Sequence, residues 1–359
     1  MTERDTILIL GAEGFIGSRL RDRLNGQYRL FSVDVRPLTP VRARIGADDL
    51  RSERLFRLDL GDPAQLDEFF EAIAGDFGRL RAVMHLAAYY DFRNQPDARY
   101  DRLHVGLRHL LQLLHQHVDA DVPLIYASSM ASLAPTEPGR PITEESSRLG
   151  AWMYPASKIE AENILREAAR KRPIVELVLA AVYSDLGEIV PLFNQIELIR
   201  SRSIEKFMYP GPPDRGLTYV HIRETVDAFV RTIEPFFART GPHRFLIGQE
   251  KPVSYEYIHR LACEMFYGKN LPLLRIPSSV AVIGAHMLSA FSSLFGRRRF
   301  LQPWMIQFAG EHFEFDLTHV KSELGWSPWR SIHDDLHRIL EFAHYHQDLW
   351  LEVNHRRPW

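Results

Sequence analysis

Short apolar runs alternate with amphipathic stretches through the first half of the chain. Residues 6–10, 30–35, 55–60, 82–88, 123–129 and 175–183 are mostly apolar, the first of them also rich in β-branched residues, which predicts strands. Between them, residues 18–24, 64–74 and 103–117 carry helical spacing, with Leu20 and Leu24 on one face and Leu107, Leu110, Leu111 and Leu114 on another. A further helix runs from the region of Lys158 to about Lys171. Strands alternating with helices predict an α/β fold, a Rossmann-type doubly wound parallel sheet. After Tyr183 the alternation stops. Pro191, Pro210, Pro212, Pro213 and Gly216 interrupt a mixed region in which 217–222 and 244–247 read as short strands. The expected organisation is a sheet domain over 1–183, with 217–248 returning to it. A smaller, mostly C-terminal lobe is expected over 184–216 and 249–335, and a C-terminal helix and tail over 336–359.

Gly11-Ala12-Glu13-Gly14-Phe15-Ile16-Gly17 joins the first strand to the first helix. In that context a glycine turn cradles the pyrophosphate of a dinucleotide. Gly11 would make the tight turn, Gly14 would let the backbone approach the phosphates, and Gly17 would let helix and strand pack closely. The helix N-terminus adds N–H groups and a positive dipole end. Asp34 closes the second strand about 20 residues further on, where a carboxylate takes the adenosine ribose hydroxyls. It would also repel a 2′-phosphate, which favours NAD over NADP, and the neighbouring Arg36 would soften that preference. The third strand, 55–60, carries Asp59, which stands either as an acceptor for the adenine amino group or as a loop cap.

Tyr154 and Lys158 lie four apart, on one face of a helix. A free phenol, with a pKa of about 10, is a poor base at neutral pH. A nearby ammonium favours phenolate, so the pair could take a proton from an alcohol or return one to a carbonyl. Ser128-Ser129 ends the fifth strand, at the sheet edge where ligands bind in this architecture. His85, inside the fourth strand, reads as a satisfied core histidine.

Taken together, these residues resemble the extended short-chain dehydrogenase/reductase family, which includes the NAD-dependent epimerases and dehydratases. The resemblance is carried by Gly11/Gly14/Gly17, Asp34, Asp59, His85-Leu86-Ala87-Ala88, Ser128-Ser129 and Tyr154/Lys158. Tyr219-Val220-His221-Ile222, Phe315-Asp316-Leu317 and Glu323-Leu324-Gly325-Trp326-Ser327-Pro328 continue it. It implies NAD bound by Gly11, Gly14, Phe15, Ile16, Gly17, Asp34, Asp59, Leu60, Leu86, Ala87, Ala88, Tyr154 and Lys158. It implies Tyr154 as acid/base, with Lys158 lowering its pKa and holding the nicotinamide ribose. Ser129 would orient the reacting oxygen, with Ser128 as the alternative one register away. It further implies a homodimer through the helix after the fourth strand and the helix of Tyr154, a contact that Leu107, Leu110, Leu111 and Leu114 would serve unless they pack within the monomer.

Several positions depart from the family pattern. Met130-Ala131 follows Ser129 where hexose dehydratases carry an acid pair, which disfavours dehydration. Leu217-Thr218 stands where nucleotide-sugar enzymes hold a diphosphate with Arg, and Arg215 is two residues early. Val178-Leu179 replaces an Arg-Pro, His104 an Asn and Glu224 an Asp. The first expectation is therefore an NAD-dependent oxidoreductase for a small-molecule secondary alcohol or ketone, apolar rather than a nucleotide sugar. The alternatives are an NAD-dependent sugar or nucleotide-sugar epimerase and a non-catalytic dinucleotide sensor. The intact Ser129/Tyr154/Lys158 set argues against the sensor.

Composition adds exclusions. A net charge of −2 over 359 residues gives no nucleic-acid footprint. A single cysteine, Cys263, rules out an intramolecular disulfide and fits a reducing compartment. The N-terminus shows no basic region before an apolar run, so a cytoplasmic location is expected. Residues 276–296 hold no charge and Arg297-Arg298-Arg299 follows. A lobe helix or subunit contact is the preferred reading of 276–299, ahead of peripheral contact with an anionic membrane surface. His333 and His337 read as a solvated helix face, and no metal is expected.

Overall fold

The computed structural model of the chain describes residues 5–40, 53–91, 94–233, 240–294 and 303–355. Six apolar runs become strands in chain order: β1 (Thr6–Leu10), β2 (Arg29–Asp34), β3 (Glu53–Arg57), β4 (Leu80–His85), β5 (Leu124–Ser129) and β6 (Pro173–Leu179). Every residue of β1 and β6 is buried, as parallel strands covered on both faces require. The chain then leaves the sheet for β7 (Ala181–Tyr183), β8 (Met208–Pro210), β9 (Gly216–Leu217) and β10 (Tyr219–His221). It returns as β11 (Gly241–Ile247), and β12 (Val253–Ser254) and β13 (Leu274–Ile276) follow. The seven-stranded sheet has the order β11-β6-β5-β4-β1-β2-β3, and every neighbouring pair is parallel. The order reverses between β1 and β4, which opens a crevice at their carboxyl ends.

Two apolar cores cover the sheet. On one face, Leu66, Phe69 and Phe70 of helix Pro63–Ile73 pack with Leu107, Leu110 and Leu114 of helix Ala98–His117 and Ile164 and Leu165 of helix Met153–Ala168. Those leucines therefore turn into the monomer's own core. On the other face, Leu20 and Leu24 of helix Phe15–Leu24 meet Val226 and Phe229 of helix Ile222–Arg231 and the fully buried Trp326. Trp326 is pinned from both sides: its indole N–H donates to the Glu224 carbonyl at 3.2 Å, and the Glu224 carboxylate accepts from the Arg330 amide at 2.7 Å. The C-terminal segment thus closes over the start of helix Ile222–Arg231, with Gly325 turning at φ +62°.

A third core forms the smaller lobe, with Leu192, Phe193 and Ile196 against Ile258, Ala262, Leu336, Ile339 and Trp350. Its strands pair in three two-stranded sheets, β7 with β10, β9 with β12 and β8 with β13. Three expected boundaries differ. The run 175–183 is two strands, because the chain changes partner at Ala180: the Ala180 amide donates to Ile247, and the Ala181 amide to Thr218. Of 217–248, β11 joins the main sheet and β10 pairs with β7 instead. β3 ends at Arg57, before Asp59. Of the stretch 276–299, helix Ser278–Leu294 is described and 295–299 lie outside the described residues. Among the described residues no helix is long and apolar enough to cross a membrane.

One glycine tests the packing of helix Ala98–His117. A Cβ on Gly106 would stand 1.7 Å from the Leu60 carbonyl oxygen, while a Cβ on Gly75 meets nothing within 4 Å. Gly106→Ala is expected to cost about 3 kcal/mol as backbone is forced apart. Gly75→Ala is expected to be near neutral. Chemical denaturation of both variants checks this, and equal midpoints would refute the contact.

Candidate active site

The carboxyl ends of β1, β4 and β5 open into a cleft of about 1110 Å³. One end is the glycine turn, where Gly11, Gly14, Phe15, Ile16 and Gly17 face Leu86 and Ala88. Gly11 sits at φ +86°, and a Cβ there would lie 2.6 Å from the Ala87 nitrogen. A Cβ on Gly17 would lie 2.2 Å from the Gly11 carbonyl oxygen. Helix Phe15–Leu24 starts at Gly14 with no side chain capping it and no acid in its first turn. Among the described residues no side chain caps that dipole end, and the cradle fits a pyrophosphate.

Asp34 is buried and ties β2 to the turn, accepting from the Glu13 amide at 2.9 Å and the Arg36 amide at 3.0 Å. The Arg36 guanidinium pairs with it at 3.3 Å. Asp59 lies in the loop after β3, where one oxygen accepts from the Gly61 amide at 2.9 Å and the other pairs with Arg102 at 2.7 Å. It makes the loop cap in this structure. Asp34, Asp59, Leu60 and Ala87 do not border the cleft, and Leu60 belongs to the helix-side core.

At the other end, Ser129 from the tip of β5 and Tyr154 and Lys158 from helix Met153–Ala168 border the same wall. The Ser129 hydroxyl lies near enough to the Tyr154 phenol to favour its ionised form. Ser128 turns away and donates to the Glu162 carboxylate, which also accepts from Ser132 at 3.1 Å. Burial pushes Tyr154 up to about 12, partly offset by the Ser129 hydroxyl. Burial lowers Lys158 to about 8, while the Glu162 charge pulls it back up. Lys158 Nζ donates to the Ala127 carbonyl at 2.7 Å and the Tyr126 hydroxyl at 3.2 Å, and stands 5.8 Å from the Tyr154 ring centroid. The helical spacing led us to expect a phenol depressed by its lysine. Here burial raises the phenol and the Ser129 hydroxyl alone opposes it.

His85 is buried beneath this wall with its ring 5.5 Å from Tyr126, and its Nδ1 has no hydrogen-bond partner. It is not the satisfied histidine expected. Burial, then the Lys158 charge, lowers it to about 4, so it is neutral. Sequence reasoning missed Glu162, although it lies one helical turn beyond Lys158. It also missed the aromatic enclosure of Tyr154: Tyr90 edge-on at 4.5 Å, Trp152 at 5.6 Å, and Trp304 5.4 Å beyond Trp152. His333 packs edge-on to Tyr257, and His337 pairs with Glu341 at 3.4 Å.

The sequence profile of the NAD dependent epimerase/dehydratase family matches residues 7–248. An ADP-L-glycero-D-manno-heptose-6-epimerase from Pseudomonas aeruginosa is 34% identical over 131 residues, which is 35% of this chain and 36% of that protein. The chain thus spans about a third of that relative's length in the match. A UDP-glucose 4-epimerase from Thermotoga maritima, solved with UDP-glucose, superposes with a TM-score of 0.67 at 20% identity, covering 95% of this chain and 99% of that one. A dTDP-glucose 4,6-dehydratase from Bacillus anthracis, solved with NAD, gives 0.67 at 15% identity, covering 97% and 99%.

The buried Lys158 has a consequence for stability. Between pH 8 and 10.5 the unfolded chain binds more protons at this site than the folded one, so stability climbs with pH across that window. Below pH 8 its full cost is present, on the order of 3 kcal/mol. Lys158→Met is expected to raise the stability of the cofactor-free protein at pH 7 and to flatten the climb. Denaturation midpoints taken from pH 7 to 10.5 check this. Parallel curves for the two proteins would show the lysine charge to be unstrained.

Proposed function

The chain belongs to the NAD dependent epimerase/dehydratase family, and from that premise we propose that it epimerises a secondary alcohol, oxidising the carbinol and reducing the ketone in place. It is an NAD-dependent enzyme of the extended short-chain dehydrogenase/reductase type. The observation that carries the reading is the convergence of Ser129, Tyr154 and Lys158 on one wall of a cleft whose far end is the glycine cradle. In this reading the turn from Gly11 to Gly17 holds the pyrophosphate, Asp34 the adenosine ribose and Lys158 the nicotinamide ribose. NAD, when bound, accepts and returns the hydride. The Ser129 hydroxyl holds the reacting oxygen against the phenol. Tyr154, ionised beside the Lys158 ammonium, takes the proton as the ketone forms and gives it back as the alcohol re-forms. Lys158 offsets the charge on the phenolate, and Glu162 helps to keep that lysine protonated. Tyr90, Trp152 and Trp304 exclude water from the phenol.

Dehydration is the weaker reading, because Met130 and Ala131 border the cleft beside Ser129 and neither is an acid. Net oxidation with release of the reduced cofactor is the second reading, favoured by the apolar wall facing Tyr154. A homodimer would use the outer faces of helices Ala98–His117 and Met153–Ala168, since their leucines turn inward. A bilayer contact of 276–299 would be made through the exposed Val280 and Ile283.

The test follows each product of the alcohol. NAD-loaded enzyme is incubated with a panel of sugar nucleotides, free sugars and hydroxysteroids deuterated at the carbinol carbon. Epimerisation gives the inverted alcohol with the label retained and no rise at the reduced-nicotinamide absorbance band. A stoichiometric rise with ketone released would establish net oxidation and sink the epimerase reading.

Tyr154→Phe is expected to lower kcat by about 10³-fold with NAD affinity unchanged. Turnover and an NAD titration on one preparation check this. Undiminished turnover would remove Tyr154 from the chemistry.

A further inference from the structure

Past Tyr154 the cleft widens into a chamber roofed by the first half of helix Ser278–Leu294. Val280, Ala281, Gly284 and Ala285 border it, with Ile276 just before the helix. Residues 276–296 contain no Asp, Glu, Lys or Arg. Trp152 and Trp304 stand on the Tyr154 side. A molecule seated here is surrounded mainly by aliphatic and aromatic carbon.

The charges that border the cleft offer a phosphate no disengaged partner among the described residues, and two of its carboxylates are themselves paired, Glu188 with Arg19 at 3.4 Å and Glu197 with Arg200 at 2.6 Å. Among the described residues its cations are Lys158 and Arg215, against the carboxylates of Glu188, Glu197, Glu205 and Glu311. Lys158 belongs to the reacting end. Arg215 is engaged elsewhere: one guanidinium nitrogen donates to the Gly310 carbonyl at 3.1 Å and another pairs with Glu137. A diphosphate drawn into this chamber would shed its hydration without a disengaged cation to replace it, a cost that burial makes severe. Burial also pushes Glu311 up to about 7. The chamber thus resists even one negative charge belonging to the chain itself.

We propose that the substrate is an uncharged secondary alcohol on an apolar body, seated under helix Ser278–Leu294, and not a nucleoside-diphosphate sugar. The proposal rests on the reading of Tyr154 as the reacting end. The roof also explains entry. Val280 borders the chamber and is 56% exposed, and Ile283 is 62% exposed. Apolar surface therefore continues from the chamber to the outside along this face of the helix.

Binding to the NAD-loaded enzyme tests this without turnover. The probes are androsterone and 2-dodecanol on one side and UDP and ADP on the other, read by quenching of tryptophan fluorescence. Both alcohols are expected to quench saturably, and neither nucleotide to do so at about 1 mM, the weakest affinity a specific site would show. Val280→Asp places a charge in the roof at a half-exposed position that folding tolerates. It is expected to weaken alcohol binding at least about 10-fold with NAD affinity unchanged. Saturable binding of UDP or ADP, failure of both alcohols to bind, or an unchanged alcohol affinity in Val280→Asp overturns the proposal. Its failure is separable from that of the epimerase reading. Bound androsterone oxidised with release of NADH would end epimerisation and keep the substrate class, whereas epimerisation of a bound UDP-sugar would do the reverse.

Discussion

A backbone-on-backbone contact at Gly11 is what the cleft is built around. The bare Cα of Gly11 lies against the backbone of Leu86 and Ala87, and the Gly11 carbonyl oxygen in turn lies against the Cα of Gly17. The amides of Gly11 and Ala12 both donate to Val33, at 2.9 and 3.0 Å, and the Leu86 amide donates to Leu10 at 2.8 Å. The ends of β1, β2 and β4 and the start of helix Phe15–Leu24 therefore converge at one residue. A side chain at Gly11 would pry β1 from β4 at the point where the strand order reverses. The cradle for the cofactor and the central pairing of the sheet are one physical feature.

The reacting wall depends on a second device, a cluster of buried charges behind helix Met153–Ala168. Glu162 is fully buried and pairs with Arg148 at 2.6 Å and Arg244 at 3.4 Å. Arg244 also reaches Glu176 at 3.4 Å, and burial, then the Glu162 charge, pushes Glu176 up to about 7. Buried ion pairs of this kind add little net stability, because the desolvation of each charge offsets their attraction. Their effect here is positional. Glu162 ties down the hydroxyls of Ser128 and Ser132, on either side of Ser129, and leaves the Ser129 hydroxyl to the phenol's side of the wall. The same carboxylate opposes the burial that depresses Lys158, so one residue sets both the aim of the hydroxyl and the charge of the ammonium.

What could be read from sequence follows the range of the forces involved. The inner strands of the parallel sheet, β1 and β6 above all, were legible because they are buried on both faces and flanked by turns. The glycine turn was legible because strand, turn and helix are adjacent in the chain. The break at Ala180 was not, since residues 177–183 are apolar throughout and only a change of hydrogen-bond partner from Ile247 to Thr218 divides them. The three two-stranded sheets of the lobe were illegible for a related reason, as strands of two or three residues carry no period. Asp59 shows the limit of a motif match: the position fits, but β3 stops at Arg57 and the carboxylate is taken by Gly61 and Arg102. Glu162 lay in plain view one turn past Lys158. Its meaning required Arg148 and Arg244, which the fold brings from outside the helix.

The cleft joins two halves that answer to different cores. The cradle and the reacting wall rest on the two cores that sandwich the seven-stranded sheet, whereas much of the chamber wall is shaped by the third core and by helix Ser278–Leu294. The halves meet at Ala180, where the chain passes from the main sheet to β7. A residue change in the lobe therefore has a short path to the chamber wall and a long one to Gly11. Leu217 and the engaged Arg215 can replace a phosphate clamp without disturbing the strand pairing that holds Ser129 or the helix that holds Tyr154. This separation lets the substrate half vary while the cofactor half keeps its backbone geometry.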